Sequence, residues 1–320
     1  METKSVTISV KGRMVQVPSA SFEGSTIVVL GKWLKMAKIQ DEAWSPGETV
    51  KDPDAYLEKI KAENLHADIF TFSQKIPHLE PKYVYPMEWD NVAAIPTGDF
   101  TAWWEGLPKE ARKNVRRAEK RGVVLRVVPF DDALMQGILE INNETPIRQG
   151  RPFWHYGKSL DMVKRDYTTL LDRSEFIGAF HDNQLIGFIK MIYMGEVAGI
   201  LQILSMNKHY DKRPGNALIA KAVERCHAQG IKYLTYGKYI YGKKSHSPLT
   251  EFKRRNGFEQ FQVPQYYVPL TNKGKLCIAL GLHLGWKQMI PESVLNLAVK
   301  VRSKWYEKSL RSDAQPSAAE

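Results

Sequence analysis

Ile200-Leu-Gln-Ile-Leu-Ser205, the loop at 206–214, residues 215–229, residues 232–236 and Leu249-Thr-Glu-Phe-Lys-Arg-Arg-Asn-Gly-Phe258 decide the fold. The first six residues are mostly branched and apolar and predict a strand. Residues 215–229 predict a helix and 232–236 a second strand, followed by a Gly/Tyr/Lys-rich loop at 237–248. A strand that runs into a glycine-bearing turn opening a helix leaves the first helical N–H groups without intrahelical acceptors. The helix dipole then favours negative charge at that point. The spacing therefore predicts a site for an anionic ligand, which the rest of the chain supports.

Upstream, residues 176–180 and 185–193 predict two strands joined by the hairpin turn His181-Asp-Asn-Gln184. Met194-Gly-Glu-Val197 turns the chain into the strand at 198–205. The order is strand-strand-strand-helix-strand. Before it come a strand at 123–128, a helix at 132–142, a loop at 144–156 and an amphipathic helix at 159–171. In the loop, Arg148, Arg151, His155 and Tyr156 are candidates to hold an acidic substrate; a loop that packs its aromatics is the other outcome.

Trp103 to Gly122 contains a helix with Pro108 in the first turn and Gly122 beyond the end. Ala111, Val115 and Ala118 form its apolar stripe. Arg112, Lys113, Arg116, Arg117, Lys120 and Arg121 form a cationic face. Singly, these cations read as solvated side chains whose charge complements the helix dipole. Together they form a surface for phosphates, without a motif for reading bases.

The first hundred residues predict a hairpin (6–10 with 14–17, turning at Lys11-Gly12), strands at 25–30, 32–39, 68–72, 83–85 and 91–95, and a helix at 53–63 capped by Asp52. Mixed strands and helix make this an α/β or α+β region. Trp33, Trp44 and Trp89 are expected as packing aromatics.

The 320 residues allow two domains or one large one, and 43% hydrophobic with 25% charged residues excludes a disordered or fibrous chain. The formal charge of +11 is uneven: −3 over residues 1–100 and +14 over 101–320. An anionic ligand fits the second part, as does a plain basic surface. Cys226 and Cys277 make no disulfide framework or zinc spacing, so a reducing cytoplasm is expected. The start lacks an apolar signal core, and the most apolar run, 276–286, is too short to span a bilayer.

Lys212-Arg-Pro-Gly215-Asn-Ala217 at the strand-to-helix turn resembles the phosphate-binding turn of GNAT acyltransferases. Lys212 replaces the usual first residue, and Pro214 removes one donor. With Arg112-Lys-Asn-Val-Arg-Arg-Ala-Glu-Lys-Arg-Gly-Val123, Tyr236-Gly237 and Phe252-Lys-Arg-Arg-Asn-Gly-Phe258, residues 100–270 resemble the FemAB-like branch of that superfamily. The branch includes peptidoglycan aminoacyl transferases and acyltransferases of polysaccharide gene clusters. The resemblance implies a mixed sheet flanked by helices in two GNAT-like halves: residues 1–100 a reduced first half, 101–270 the transferase domain, 271–310 an amphipathic helical segment and 311–320 a disordered tail.

It further implies an N-acyltransferase using acyl-CoA as co-substrate and an amine acceptor, on an amino sugar or cell-envelope glycan precursor. Alternatives are an aminoacyl-tRNA-dependent transferase and a non-catalytic scaffold. Backbone groups near Leu204, Ser205 and Met206, and the helix start at Lys212, Arg213, Gly215, Asn216 and Ala217, would hold the donor. Lys253 would meet donor charge and assist transfer; Tyr236 and Tyr239 would orient groups or pass a proton; Tyr241 would contact substrate. His246 and Glu251 are nearby candidate bases. No metal is expected. Leu276, Leu280, Trp286, Ile290 and the basic residues from Lys300 to Lys308 form an amphipathic pattern. It docks on the protein or lies on the inner face of an anionic membrane.

Overall fold

In the computed structural model, residues 4–10, 13–148, 150–242 and 247–285 are described. The expected turn at Lys11-Gly12, His246, and the amphipathic segment and tail from residue 286 onward lie outside them. The chain begins with strands β1 (Ser5–Val10), β2 (Arg13–Phe22), β3 (Ser25–Leu30) and β4 (Met36–Ile39), then helix α1 (Pro53–Ala62) and strands β5 (Ile69–Ser73) and β6 (Met87–Pro96). Next are α2 (Phe100–Gly106), α3 (Lys109–Lys120), β7 (Val124–Val128), α4 (Asp132–Asn143), the short β8 (Ile147–Arg148) and β9 (Arg151–Pro152), and α5 (Leu160–Tyr167). The remainder is β10 (Ser174–His181), β11 (Gln184–Met194), β12 (Val197–Ser205), α6 (Pro214–Ala228), β13 (Tyr233–Thr235), α7 (Pro248–Arg255), β14 (Glu259–Pro269) and α8 (Asn272–Ala279).

Twelve strands make one sheet in the order β1-β2-β3-β4-β5-β14-β6-β13-β12-β11-β10-β7. Two neighbouring pairs are parallel, β4–β5 and β12–β13. Parallel neighbours need a crossover, supplied by α1 in the first case and α6 in the second. An antiparallel meander, a helix and a parallel return thus occur twice, so the mixed α/β sheet flanked by helices expected from the sequence is present.

The two halves exchange strands. Ala93 and Ile95 of β6 pack in the core built on α6, with Ile177, Ile189, Ala198 and Leu234. Tyr266 and Val268 of β14 pack in the core built on α1, with Tyr56, Phe70 and Phe72. A cut at residue 100 therefore passes between elements but not between cores. A third cluster joins α4 and α5 to the other face of β11 through Ile138, Val163, Tyr167 and Phe188.

Local chemistry explains most element ends. Asp52, Asp99, Asp131 and Ser159 accept N–H groups of the first turns of α1, α2, α4 and α5. Asp182 (φ 50°) and Asn183 (φ 61°) give the two left-handed residues of a tight hairpin turn. The helix expected with Pro108 at its start and Gly122 beyond its end is α3; Leu107 and Pro108 adopt extended backbone (ψ 144° and 140°) and separate it from α2, which the sequence pattern does not mark. The strand expected from residue 32 starts only at Met36. Gly31 (φ +105°) turns so tightly that a Cβ there would lie 2.0 Å from the Leu34 carbonyl oxygen. Residues 83–85 are not a strand; Tyr83 instead packs its ring on Phe72 and Tyr266. Trp33, Trp44 and Trp89 are more than half exposed and do not belong to a core.

Candidate functional site

β12 and β13 pair only over Val197–Gly199 and Tyr233–Thr235. Beyond Gly199 the two diverge. The β11–β12 register slips between Lys190 and Met191, which face Gln202 and Ile200, so Leu201 is an extra residue on β12. Such a bulge bends the strand that carries it, and here it lies where β12 leaves β13. The Met206 N–H donates to the Ile186 carbonyl, toward β11 (2.8 Å). Alternation along a strand turns Leu204 the same way and Ile203 and Ser205 the opposite way, into the gap. The Ser205 carbonyl fits this polarity, since it accepts the Arg148 guanidinium rather than a β11 group (2.9 Å). Of the three expected donors Ser205 therefore faces the gap, Leu204 and Met206 do not, and Ile203 joins it.

The end of β12 is itself tied down. Glu144 accepts the N–H groups of Asn207 (2.7 Å) and Lys208 (2.8 Å), and its carboxylate also meets Arg148 (3.3 Å). The sequence marks Glu144 only as a loop residue, because its acceptor role depends on a segment over sixty positions away. After a short 3-10 turn the chain enters α6 through Arg213, which is left-handed (φ 58°). Pro214 takes the first helical position, and no side chain caps the helix. The Ala217 N–H bonds the Arg213 carbonyl (3.4 Å), and its side chain is buried in the core. Ala217 is thus a packing residue, and the N–H groups of Gly215 and Asn216 are the ones left at the helix start. A Cβ on Gly215 would touch only Phe252, at 3.7 Å. Asn216 donates to Asn256 at the end of α7 (2.9 Å), which fixes the two helices together. Lys212 lies 3.8 Å from Asp211, and Arg213 lies 5.7 Å from the Tyr210 ring centre. Arg121, which caps the end of α3, also pairs with Asp211, so the cationic helix abuts this turn.

Lys253 is wholly buried. Its ammonium donates to the Tyr236 carbonyl (2.5 Å) and the Lys238 carbonyl (2.7 Å). It lies 4.4 Å from the Tyr236 ring centre and 5.0 Å from that of Tyr241. Burial pushes its pKa down to about 7; the carbonyls and ring faces favour the ammonium and oppose that shift. The expectation that Lys253 reaches donor charge is corrected by this geometry. The lysine binds the loop after β13 from within. Asn91 holds the same loop by bonding both the N–H and the carbonyl of Ile240 (2.7 and 3.2 Å). The Tyr236 ring lies tilted beside that of Phe258 (5.9 Å between centres), and burial raises its pKa, so its hydroxyl stays protonated. Tyr239 packs against the α6 core, whereas Tyr241 is about half exposed (48%). Arg254 and Arg255 bond Glu251 and hold its carboxyl down at about 2, which leaves it weakly basic.

The residues expected to hold an acidic substrate do not converge. Arg148 is mostly buried, engaged with the Ile141 and Ser205 carbonyls and stacked over Phe153 (4.7 Å). His155 is neutral, its pKa lowered to about 4 by burial and then by Lys158. Its ring faces the Gln202 side chain of β12 (3.3 Å). Arg151 and Tyr156 are exposed and face solvent. The sequence also hides two buried charges. Lys190 of β11 donates to the Tyr167 and Thr169 carbonyls (2.8 and 2.6 Å). Glu42 accepts Ser73 N–H (2.9 Å) and Thr49 hydroxyl (3.1 Å), and burial raises its pKa.

A gap beside a bulged strand, opening toward an uncapped helix start, is the geometry of a GNAT-type fold. No family model matches the sequence, and no curated protein matches it. Solved structures do. FemX shares 11% identity at a TM-score of 0.55, over 82% of this chain and 87% of that one. The C-terminal domain of a protein described as a lysylphosphatidylglycerol synthetase from Agrobacterium fabrum shares 12% at 0.52, over 83% and 89%. L-PGS from Bacillus licheniformis shares 13% at 0.50, over 81% and 85%. The likeness at these identities is one of fold: the chain has the FemAB-like form of the GNAT fold, in two tandem halves.

Proposed function

We propose that the chain is an N-acyltransferase that moves an acyl group from acyl-CoA to an amino group on an amino sugar or cell-envelope glycan precursor. The observation that carries this is the pair of backbone donors, Ile203 and Ser205, turned into the gap between β12 and β13. In this reading they bind the thioester oxygen as it becomes an oxyanion. The N–H groups of Gly215 and Asn216, with Lys212 and Arg213, hold the carrier's pyrophosphate. The amine attacks the carbonyl, a C–N bond forms, the C–S bond breaks, and the thiolate of CoA leaves. The amine's proton passes to water, since Lys253 is engaged with carbonyls and Glu251 is weakly basic. Lys253 acts through the loop it holds, keeping Tyr236 and Tyr241 at the open end of β13.

A second reading, transfer from an aminoacyl-tRNA, is favoured by the cationic face of α3 next to the 207–212 turn. A thermal-shift panel separates them. A rise in Tm with acyl-CoA that persists at high salt supports the first. A response to tRNA that falls steeply with salt supports the second. If neither donor binds, both are wrong and a non-catalytic scaffold remains. No helix among the described residues is long and apolar enough to cross a membrane. We place the protein in the cytoplasm, with inner-face membrane contact through 276–310 as a further proposal.

A further inference from the structure

A cavity of about 660 Å³ opens in the first half, at the N-terminal ends of β4 and β5, bounded by the end of α1, the end of β14 and the start of α8. Its volume falls within the usual range of small-molecule sites. Leu57, Ile60, Leu65 and Val268 give it apolar walls, and Lys32, Lys35, Lys61 and Lys273 line it with positive charge. Among the described residues, Asp68 is the only carboxylate on the lining.

That carboxylate does not neutralise the rim. Its oxygens accept the Lys35 N–H (2.9 Å), the Thr271 hydroxyl (3.0 Å) and the Lys273 ammonium (3.3 Å). Among the described residues, the ammonium groups of Lys32, Lys35 and Lys61 make no ion pair. Thr271, whose hydroxyl caps α8 by accepting the Gly274 N–H, also lines the space, so the positive end of that helix adds to the lysines. Trp33 presents an exposed indole at the mouth, with Lys273 5.0 Å from its ring centre.

The rim is rigid. A Cβ on Gly31 would lie 2.0 Å from the Leu34 carbonyl oxygen, and one on Gly274 would lie 2.0 Å from that of Asp68. The turn at Gly31 and the first turn of α8 thus rest on backbone contacts that only glycine permits.

We propose that this cavity binds a phosphate ester with an apolar or planar body, its phosphate on Lys32, Lys35 and Lys61 and its body on Trp33 and the Leu57–Val268 walls. It lies in the other half of the sheet from the β12 gap, so the proposal does not depend on the transferase reading. A soluble sugar or nucleotide phosphate and a phospholipid headgroup share this chemistry.

The test is calorimetric titration of the full chain at about 0.15 M salt, repeated at about 0.5 M, with glucose 1-phosphate, uridine diphosphate and dihexanoyl phosphatidic acid below its micelle concentration. The expected result is saturable one-to-one binding of at least one probe. The Lys35→Gln/Lys61→Gln double variant should bind it roughly ten-fold or more weakly, with Tm unchanged because both side chains are exposed. The probe that binds assigns the source, soluble or lipid. No saturable binding of any probe overturns the proposal, as does equal affinity in wild type and variant, or binding insensitive to salt. Acetyl-CoA is run as a separate arm, and its failure to bind would strike the proposed function alone.

Discussion

Lys253→Met replaces a buried ammonium by an apolar side chain of similar length, and its effect on stability should depend on pH with a definite sign. In the unfolded chain the lysine titrates near 10.5; in the fold, burial lowers this to about 7. Below pH 7 both states hold the proton, and the cost of burying the charge is fully present. Between 7 and 10.5 the unfolded state binds more protons, so stability rises with pH. From pH 7 to pH 10 the gain is about 3–4 kcal/mol, at 1.36 kcal/mol per unit over the window. It is an upper figure, because the two carbonyls and two rings oppose the shift. The methionine variant lacks this slope and leaves the Tyr236 and Lys238 carbonyls unpaired, at about 1–3 kcal/mol each. Near pH 7 relief of the buried charge offsets that loss and the two proteins should be of similar stability. Near pH 10 the wild type should be more stable by a few kcal/mol. Urea unfolding of both proteins at the two pH values measures the gap. A gap that stays constant, or narrows as pH rises, would refute the placement of Lys253 as a buried, carbonyl-bound lysine.

Other outcomes follow from the same kind of reasoning. Glu144→Ala should cost about 1–2 kcal/mol, since it removes the charged acceptor of the Asn207 and Lys208 N–H groups, which water can then reach, and the ion-pair partner of Arg148; an unchanged urea midpoint would exclude the tie it makes to β12. Gly274→Ala drives a Cβ into the Asp68 carbonyl, a backbone contact that cannot yield, and should lower stability by about 2 kcal/mol or more. His155 is protonated near 6.5 in the unfolded chain and near 4 in the fold, so between those values acid binds the unfolded state and stability falls as pH drops. His155→Gln should flatten that part of the curve, and equal slopes would contradict the buried neutral ring. Lys190, lowered to about 8 by burial, adds stability with rising pH from about 8 to 10.5; Lys190→Met should make the rise over that window shallower than in the wild type, Lys253 supplying the remainder, and an equal slope would count against Lys190 as a source.

The meander, the helix at 215–229 and the returning strand were legible because apolar spacing and the Asp-Asn turn are local signals. The fold class followed from their order. What local pattern does not carry is which distant segment completes each core. Nothing between Met87 and Pro96 tells that Ala93 and Ile95 pack beneath α6. The site was half legible for the same reason. Gly215 and Asn216 stand where the turn spacing placed them. The bulge at Leu201, by contrast, is a property of two strands, and only the register shows that Ile203 and not Leu204 faces the gap. Lys253 could be picked out beside Phe252, but its acceptors are main-chain carbonyls, to which residue identity gives no clue. Arg148 misled in the same way, since a guanidinium in a loop meets backbone as readily as substrate.

The strand exchange has a consequence for synthesis. When a ribosome has delivered the first hundred residues, Tyr56, Phe70 and Phe72 still await Tyr266 and Val268 of β14, the last described strand. Meanwhile β6 must wait, unpartnered, for β13 and β14. Neither half can mature by itself during translation, so the nascent chain carries open sheet edges until β14 has emerged, and products truncated before it should be ready substrates for proteolysis.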